Sequence, residues 1–429
     1  MRLGGRLAAA IEVLDDMESR HRPASEALRD WGLSHRFAGA GDRAAIGNIV
    51  YDALRRKRSA AWLLDASTSR ALALGALVLE WKMSPAQIDS QLEGDRFAPA
   101  SLDDMERGAL ADRTLDQAPA AVRADCPDWC VPLFEQAFGP EWVEEAAALA
   151  ARPPLDLRVN TLSASRDKVL AELAPSGAVP SLLARNGIRI PPIEAGGRHP
   201  NVQSEPAFRK GWFEIQDTGS QLAAELAGAE ISQQVLDYCA GAGGKTLAMA
   251  SAMENRGQIF AFDAEKQRLA PIFDRLKRAG TRNVQAFADP ARLEALEGQL
   301  DLVLVDAPCT GSGTWRRRPD AKWRLTDRQL ELRLAEQAMI LEKAARYVKP
   351  GGRLAYVTCS VFPSENGAQV AAFLEKNPEF APEDHAAIWA ARFPGMEAMA
   401  RVESTGGIVM TPARTGTDGF FVALLRRTG

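Results

Sequence analysis

Along residues 1–150 apolar side chains recur every three or four positions, as in RLAAAIEVLDDMES, RAAIGNIVYDALRRKRSAAWLL and EWVEEAAALAA. That period sets them on one face of a helix and predicts an all-helical first domain. Pro153 and Pro154 stop the last of these helices, since proline lacks the N–H and crowds the preceding turn. LDLRVNTL followed by SASRDKVLAELA then reads as a strand leading into a helix, within a small mixed module.

From residue 205 the pattern changes. The short apolar runs VLDYCA, QIFAFDA, NVQAFAD, LVLVDAP and RLAYVTCSV alternate with helical stretches, and FFVALLRR stands last. Such alternation predicts an α/β fold in which a mostly parallel sheet is covered by helices on both faces. AEKQRLAPIFDRLKRAG and DRQLELRLAEQAMILEKAARYV are two of those helices, the second ended by Lys349, Pro350 and the Gly351–Gly352 pair. The expected boundaries are 1–138 for the helical domain, 139–204 for the α/β module and 205–429 for the sheet domain.

Composition narrows this picture only a little. A chain of 429 residues is long for a single core, at roughly 150 residues per domain. Its net charge of −4 gives no overall basic footprint, so nucleic-acid binding has to be argued from local patches. Five scattered cysteines fit free thiols in a reducing compartment better than a disulfide framework. The first apolar stretch is broken by Glu12, Asp15 and Asp16, unlike a signal peptide, and nothing later approaches a membrane span. A cytoplasmic protein without a membrane partner is expected. CPDWC lacks a second ligand pair for zinc, so no metal is expected and Cys126 and Cys130 read as small buried hydrophobes.

In VLDYCAGAGGKT a buried strand meets Gly241, Gly243 and Gly244 just before a helix, where backbone amides can approach a ligand closely. A Walker loop would need glycine at Cys239, and a dinucleotide fingerprint begun at Gly241 would need it at Thr246. The next strand ends in Asp263, where a carboxylate can accept both ribose hydroxyls, and the third ends in Asp289, placed to reach an adenine amino group. This series fits S-adenosyl-L-methionine. Arg268, one turn beyond Asp263, flanks the same pocket or simply faces water, and each aspartate alone is equally readable as a helix cap.

Cys309 in LVLVDAPCTGSG and Cys359 in RLAYVTCS both follow strands. Carbon 5 of a pyrimidine is a poor nucleophile, so its methylation needs prior addition of a thiolate at carbon 6. The carbon 5 proton must then leave before the thiolate is eliminated, a task for a second basic group. Asp306, three residues before Cys309, can hydrogen-bond the exocyclic amine and ring nitrogen 3 of a flipped cytosine. Spacing does not say which cysteine attacks.

VLDYCAGAGGKT, DAPCTGSGTWRRRPD and YVTCSVFPSEN resemble, in order and spacing, the signature segments of the RsmB (Fmu/Sun) type RNA cytosine-5 methyltransferases, over residues 140–429. More weakly, GDRAAIGNIVYDALRRKRSAAWLL is similar to the NusB-like RNA-binding domain of bacterial members. The resemblance implies a class I, Rossmann-like methyltransferase domain preceded by an RNA-binding α/β module. It implies Cys359 as the nucleophile, Cys309 as the cysteine needed for release, and a cofactor pocket lined by Cys239, Ala240, Gly241, Ala242, Gly243, Gly244, Lys245, Asp263, Arg268, Asp289 and Asp306. Gly241 and Ala242 replace the family's common Ala-Pro pair, which leaves the turn less stiff. The implied substrate is small-subunit ribosomal RNA, acted on by a monomer. A transfer-RNA methyltransferase, an inactive RNA-binding assembly factor and a small-molecule methyltransferase are the alternatives.

After the Pro-Cys segment, WRRRPDAKWRLTDR sets Arg316, Arg317, Arg318 and Lys322 around Trp315 and Trp323, a candidate grip on RNA phosphates. The competing picture is a solvated loop with both tryptophans packed inward. By the resemblance, Arg158 and its neighbours Val159 and Asn160 also orient RNA, whereas Arg55, Arg56 and Arg58 are expected to face water.

Overall fold

In the computed structural model, which describes residues 1–428, the chain divides into two units. The first comprises Met1–Pro153, Pro192–His199 and Trp315–Leu325; the second holds the remainder. No single helix among the described residues is long and apolar enough to cross a membrane.

Unit 1 is helical, as the 3.6-residue period requires. Leu7, Ala10, Val13, Ile46, Ile49, Val50, Leu74 and Leu77 form its core. One predicted helix is two: Ala40–Arg55 and Lys57–Leu64 break at Arg56, whose ψ is 28°. The break has a cause far along the chain. The buried Asp125 carboxylate accepts the N–H groups of Arg58 at 3.0 Å and Ser59 at 2.9 Å, and the Ser59 hydroxyl at 2.6 Å, so it caps the second helix.

Residues 315–325, expected beside the active site, belong to this helical unit. Trp315 is 1% exposed, Trp323 Nε1 donates to the Leu54 carbonyl at 2.6 Å, and Arg55 Nε donates to the Arg316 carbonyl at 2.9 Å. Lys322, 2% exposed, donates to the carbonyls of Arg55 at 3.4 Å and Asp125 at 2.5 Å. Burial draws the Lys322 pKa down to about 8 despite the attraction of Asp125, and burial likewise raises that of Asp125. Both partners move toward neutrality, so desolvation outweighs their attraction. Arg55, Arg56 and Arg58, expected to face water, are paired with Asp52, Glu80 and Asp128.

Unit 2 contains two sheets. Strands β1 (Leu155–Val159), β2 (Val179–Pro180), β3 (Gly187–Ile190) and β4 (Phe213–Ile215) form the smaller one, in the order β2-β3-β1-β4. All its pairings are antiparallel, and Leu157, Val159, Ile188 and Phe213 pack on the helix Arg166–Leu173 side with Val169 and Leu173.

The larger sheet holds β5 (Gln234–Asp237), β6 (Gln258–Phe262), β7 (Val284–Phe287), β8 (Leu300–Asp306), β9 (Val348–Thr358), β10 (Phe380–Pro382), β11 (Arg401–Glu403), β12 (Gly407–Met410) and β13 (Phe420–Arg427). Its order is β11-β12-β13-β9-β8-β5-β6-β7, with β10 on β13. From β9 to β7 the pairing is parallel, and the strands beyond β9 are antiparallel. The near-continuous apolar runs are explained by burial on both faces: Val303, Leu304 and Val305 of β8 and Leu354 to Val357 of β9 have no exposed surface.

Two expectations need correction here. The helix Asp327–Ala345 ends before Lys349, and Lys349 to Gly352 instead open β9 with an irregular register against Leu300 and Leu302. AEKQRLAPIFDRLKRAG forms two short helices, Lys266–Leu269 and Ile272–Ala279, separated at Pro271, which cannot donate the ladder hydrogen bond.

Replacing Lys322 with Met leaves the buried carbonyls of Arg55 and Asp125 short of a donor and removes a charge that attracts the Asp125 carboxylate. Lys322→Met is expected to lower unfolding stability by about 3 kcal/mol, read by urea denaturation with tryptophan fluorescence. Because the folded value lies near 8 and the ordinary one is 10.5, the unfolded chain binds more protons between them. Wild type should therefore gain stability over the variant as pH rises through that window, and a pH-independent difference would contradict the assignment.

Candidate active site

Parallel pairing brings the chemistry together. β8 and β9 run side by side with Asp306 opposite Val357, and the Ala307 N–H donates to the Val357 carbonyl at 2.9 Å. Both strands therefore end at one level, where open α/β sheets bind their ligands. Beyond them Cys309 Sγ and Cys359 Sγ lie 3.4 Å apart, both free thiols and both half-buried.

The two loops are sewn to each other by backbone and hydroxyls. Gly313 N–H donates to the Cys359 carbonyl at 2.9 Å, Ser312 Oγ accepts the Val361 N–H at 2.9 Å, and Ser312 and Ser360 share a hydroxyl bond at 2.9 Å. Asn366 serves the Cys359 side: its Oδ1 accepts Thr358 Oγ1 at 2.6 Å and its Nδ2 donates to the Ser360 carbonyl at 3.0 Å. Glu365 serves the Cys309 side, accepting both the N–H and the hydroxyl of Thr310.

The pair is electrically asymmetric. The hydrogen bond to Cys359, then burial, push the Cys309 thiol well above its ordinary value, with the Cys359 and Glu365 charges adding to this. Lys245 Nζ, 2.7 Å from Asp306 Oδ2, is the nearby cation. Burial lowers its pKa, yet Asp306, Cys359 and Asp237 outweigh that and leave it raised, so the ammonium is retained.

The glycine-rich turn lies at the end of β5. Gly241 (φ 49°) and Gly243 (φ 81°) adopt the left-handed conformation, and a Cβ on Gly243 would strike Ile272 at 2.4 Å. Gly244 begins the helix Gly244–Ala252, which carries Lys245. Behind the turn Asp237 is fully buried and its pKa is pushed up to about 7 by burial, with Thr246 Oγ1 donating to it at 2.7 Å. Burial also raises the Cys239 thiol well above its ordinary value, so Cys239 lines the pocket as a neutral group. Ala240 N–H is taken by the Phe262 carbonyl at 2.9 Å, and the Ala242 carbonyl accepts Arg275 Nη1 at 2.7 Å.

Asp263 ends β6 and is 3% exposed; its oxygens accept the N–H groups of Gly241 and Glu265, both at 2.9 Å. Each carboxylate oxygen has a second acceptor position, which leaves capacity for two ribose hydroxyls. A Cβ on Gly241 would lie 3.9 Å from both Asp263 Oδ2 and Arg268 Nη2, so the absent side chain leaves a cradle between them. These residues fit S-adenosyl-L-methionine. Arg268 Nη2 lies 3.8 Å from Asp263 Oδ2. Asp289, at the end of β7, is exposed and caps the following turn through the Ala291 N–H at 3.1 Å.

The expected RNA contacts fare differently. Arg158 is 6% exposed and its Nε donates to Gln216 Oε1 at 2.6 Å; burial lowers its pKa to about 10. Asn160 Nδ2 is spent on the carbonyls of Gly211 and Ala279, both at 2.8 Å. Arg316 and Lys322 are buried within unit 1, Arg317 is half-buried and Arg318 is exposed. A basic, aromatic run looks alike in sequence whether its side chains turn outward or inward. Sequence reasoning passed over Thr310, Gln337, Glu365 and Asn366; the only trace was a polar SEN triplet shortly after Cys359, with no periodicity to mark its burial. Among the described residues no cluster of three metal-ligating side chains occurs.

Residues 225–426 match the 16S rRNA methyltransferase RsmB/F family, and residues 126–191 match the ferredoxin-like domain of RsmF/B-like methyltransferases. The chain is 32% identical over 307 residues to the probable ribosomal RNA small subunit methyltransferase B of Synechocystis sp., covering 70% of this chain and 66% of that protein. It is 35% identical over 304 residues to the ribosomal RNA small subunit methyltransferase B of Klebsiella pneumoniae, covering 70% and 65%. The match thus spans about two thirds of these relatives' length. A crystal structure of PH0851 superimposes with a TM-score of 0.72 at 26% identity, covering 99% of this chain and 100% of that one.

Asp263→Ala removes the acceptor and unpins the Gly241 amide. Affinity for S-adenosyl-L-methionine by titration calorimetry is expected to fall on the order of ten- to hundredfold, the worth of one charge-assisted hydrogen bond. Unchanged affinity would refute the placement.

Proposed function

The chain belongs to the RsmB/F methyltransferase family, and on that premise we propose that it transfers a methyl group to carbon 5 of a cytosine in small-subunit ribosomal RNA, in the cytoplasm. The observation that carries this reading is the juxtaposition of two thiols at 3.4 Å beside the Lys245–Asp306 pair. One thiol alone suits a buried hydrophobe; two at this distance, at the mouth of a cofactor cradle, suit addition and elimination on a ring.

S-adenosyl-L-methionine supplies an electrophilic methyl group when bound, and Asp263, Arg268 and the Cys239–Lys245 turn would hold it. Cys359 attacks: its Sγ bonds carbon 6 of an extruded cytosine, and the carbon 5–carbon 6 π electrons move to carbon 5. Asp306, kept in place by Lys245, accepts from the exocyclic amine and helps orient ring nitrogen 3. Once carbon 5 carries the methyl group, its proton passes to a base on the Cys309 side. The electrons of that C–H bond re-form the double bond, and the Cys359–carbon 6 bond breaks, returning the thiolate.

Of the basic run, exposed Arg318 is the side chain best placed to meet phosphates, whereas Arg158, Arg316 and Lys322 serve the fold. RNA recognition therefore draws on other surfaces than the whole arginine cluster.

Cys309→Ala should accumulate a denaturant-resistant protein–RNA adduct, because attack proceeds and elimination stalls, while Cys359→Ala should form none. An adduct in the Cys359 variant alone would reverse the roles. Bisulfite mapping of small-subunit RNA from cells with and without the protein should show one cytosine that loses its protection, and no change at any cytosine would sink the reading.

A further inference from the structure

Glu365 has no exposed surface, and no step above uses it. Burying an ionised carboxylate is costly unless donors meet its lone pairs, so its partners reveal its task. Oε1 accepts the Thr310 N–H at 2.8 Å and Gln337 Nε2 at 3.0 Å; Oε2 accepts Thr310 Oγ1 at 2.5 Å. Two of the three donors thus come from the residue directly after Cys309. The third, Gln337 Nε2, also reaches the carbonyl of Pro308 at 2.9 Å, directly before Cys309. The main chain on both sides of the thiol is held by one cluster.

That cluster is itself anchored. The Tyr356 hydroxyl donates to the Glu365 main-chain carbonyl at 2.7 Å, tying it to β9, and Gln337 lies on the long helix Asp327–Ala345 with no exposed surface. The next residue, Asn366, fixes the Cys359 loop, so neighbouring side chains each serve a different cysteine loop. The Glu365 charge also adds to the groups that keep the proton on Cys309.

We infer that Glu365 is a positioning residue for the release half of the reaction proposed above, on which this inference rests: it grips Thr310 and so holds Cys309 where the carbon 5 proton departs. Attack by Cys359 does not depend on it, because Asn366, Ser312 and Ser360 hold that sulfur.

The test separates the two halves. Wild type, Glu365→Gln, Thr310→Val and Thr310→Ser are assayed for single-turnover methyl transfer, for multiple turnover and for adduct on denaturing gels. Glu365→Gln and Thr310→Val are expected to lower kcat on the order of ten- to hundredfold, the scale of a misplaced catalytic group, with KM for RNA unchanged and adduct accumulating. Thr310→Ser, which keeps the hydroxyl, should restore turnover, and Glu365→Gln combined with Thr310→Val should be no worse than either alone. The Thr310 pair gives the answer even where Glu365→Gln fails to fold. Normal turnover in Thr310→Val, or equal loss of adduct formation and release, overturns the inference. A wild-type protein that neither methylates RNA nor forms a Cys359-dependent adduct overturns the reaction itself and the inference with it.

Discussion

A contact between two thiols is too weak to hold itself, so the 3.4 Å separation of Cys309 and Cys359 must be imposed by everything around it. The first constraint is the parallel pairing of β8 with β9, which fixes the level at which both chains leave the sheet. The second is the layer of hydroxyls, amides and one carboxylate behind the loops. Parallel strands buried on both faces cannot slip by one residue without turning their apolar side chains out of register, so the sheet hands the loops a fixed starting point. The polar layer then converts that into a position for each sulfur.

Electrostatics around the pair follow from burial. Carboxylates end three adjacent strands of the sheet, β8, β5 and β6, at Asp306, Asp237 and Asp263. One gives way, with Asp237 pushed up to about 7 and held by Thr246. Another keeps a cation, Lys245, at its side. Asp263 accepts two backbone N–H groups, one from Gly241 of the glycine-rich turn and one from Glu265 just after Asp263. A site that gathers this much negative charge suits a cofactor bearing a positive sulfur and polar ribose hydroxyls.

Much of this was legible from the chain. Short apolar runs alternating with helical stretches marked the five parallel strands, and a 3.6-residue period marked the helical first unit, because burial on two faces or on one stripe dictates composition directly. Cys309, Cys359, Asp263 and the glycine turn were visible because they sit where apolar strands end. What escaped depends on contacts far apart in sequence. The break at Arg56 is made by Asp125, some seventy residues on. The arginine-rich run after Trp315 reads as an open, charged loop, yet Arg316 and Lys322 lie buried: the Arg316 carbonyl accepts Arg55 Nε, and Lys322 Nζ donates to the carbonyls of Arg55 and Asp125. Arg158, which the resemblance turns toward RNA, is a buried residue of β1 whose Nε donates to Gln216. Glu365 and Asn366 carried no periodic signal, since residues in irregular loops are buried by their partners and not by pattern.

The membership of residues 315–325 in the helical unit has an architectural consequence. A chain that leaves the sheet domain, contributes eleven residues to its neighbour's interior and returns cannot be divided at a single cut. Excising the helices would strip Trp315, Trp323 and Lys322 of their cover and leave an apolar, half-charged flap immediately downstream of the cysteine loop. The helical unit is drawn from three separate stretches of the chain, so it is no removable N-terminal accessory.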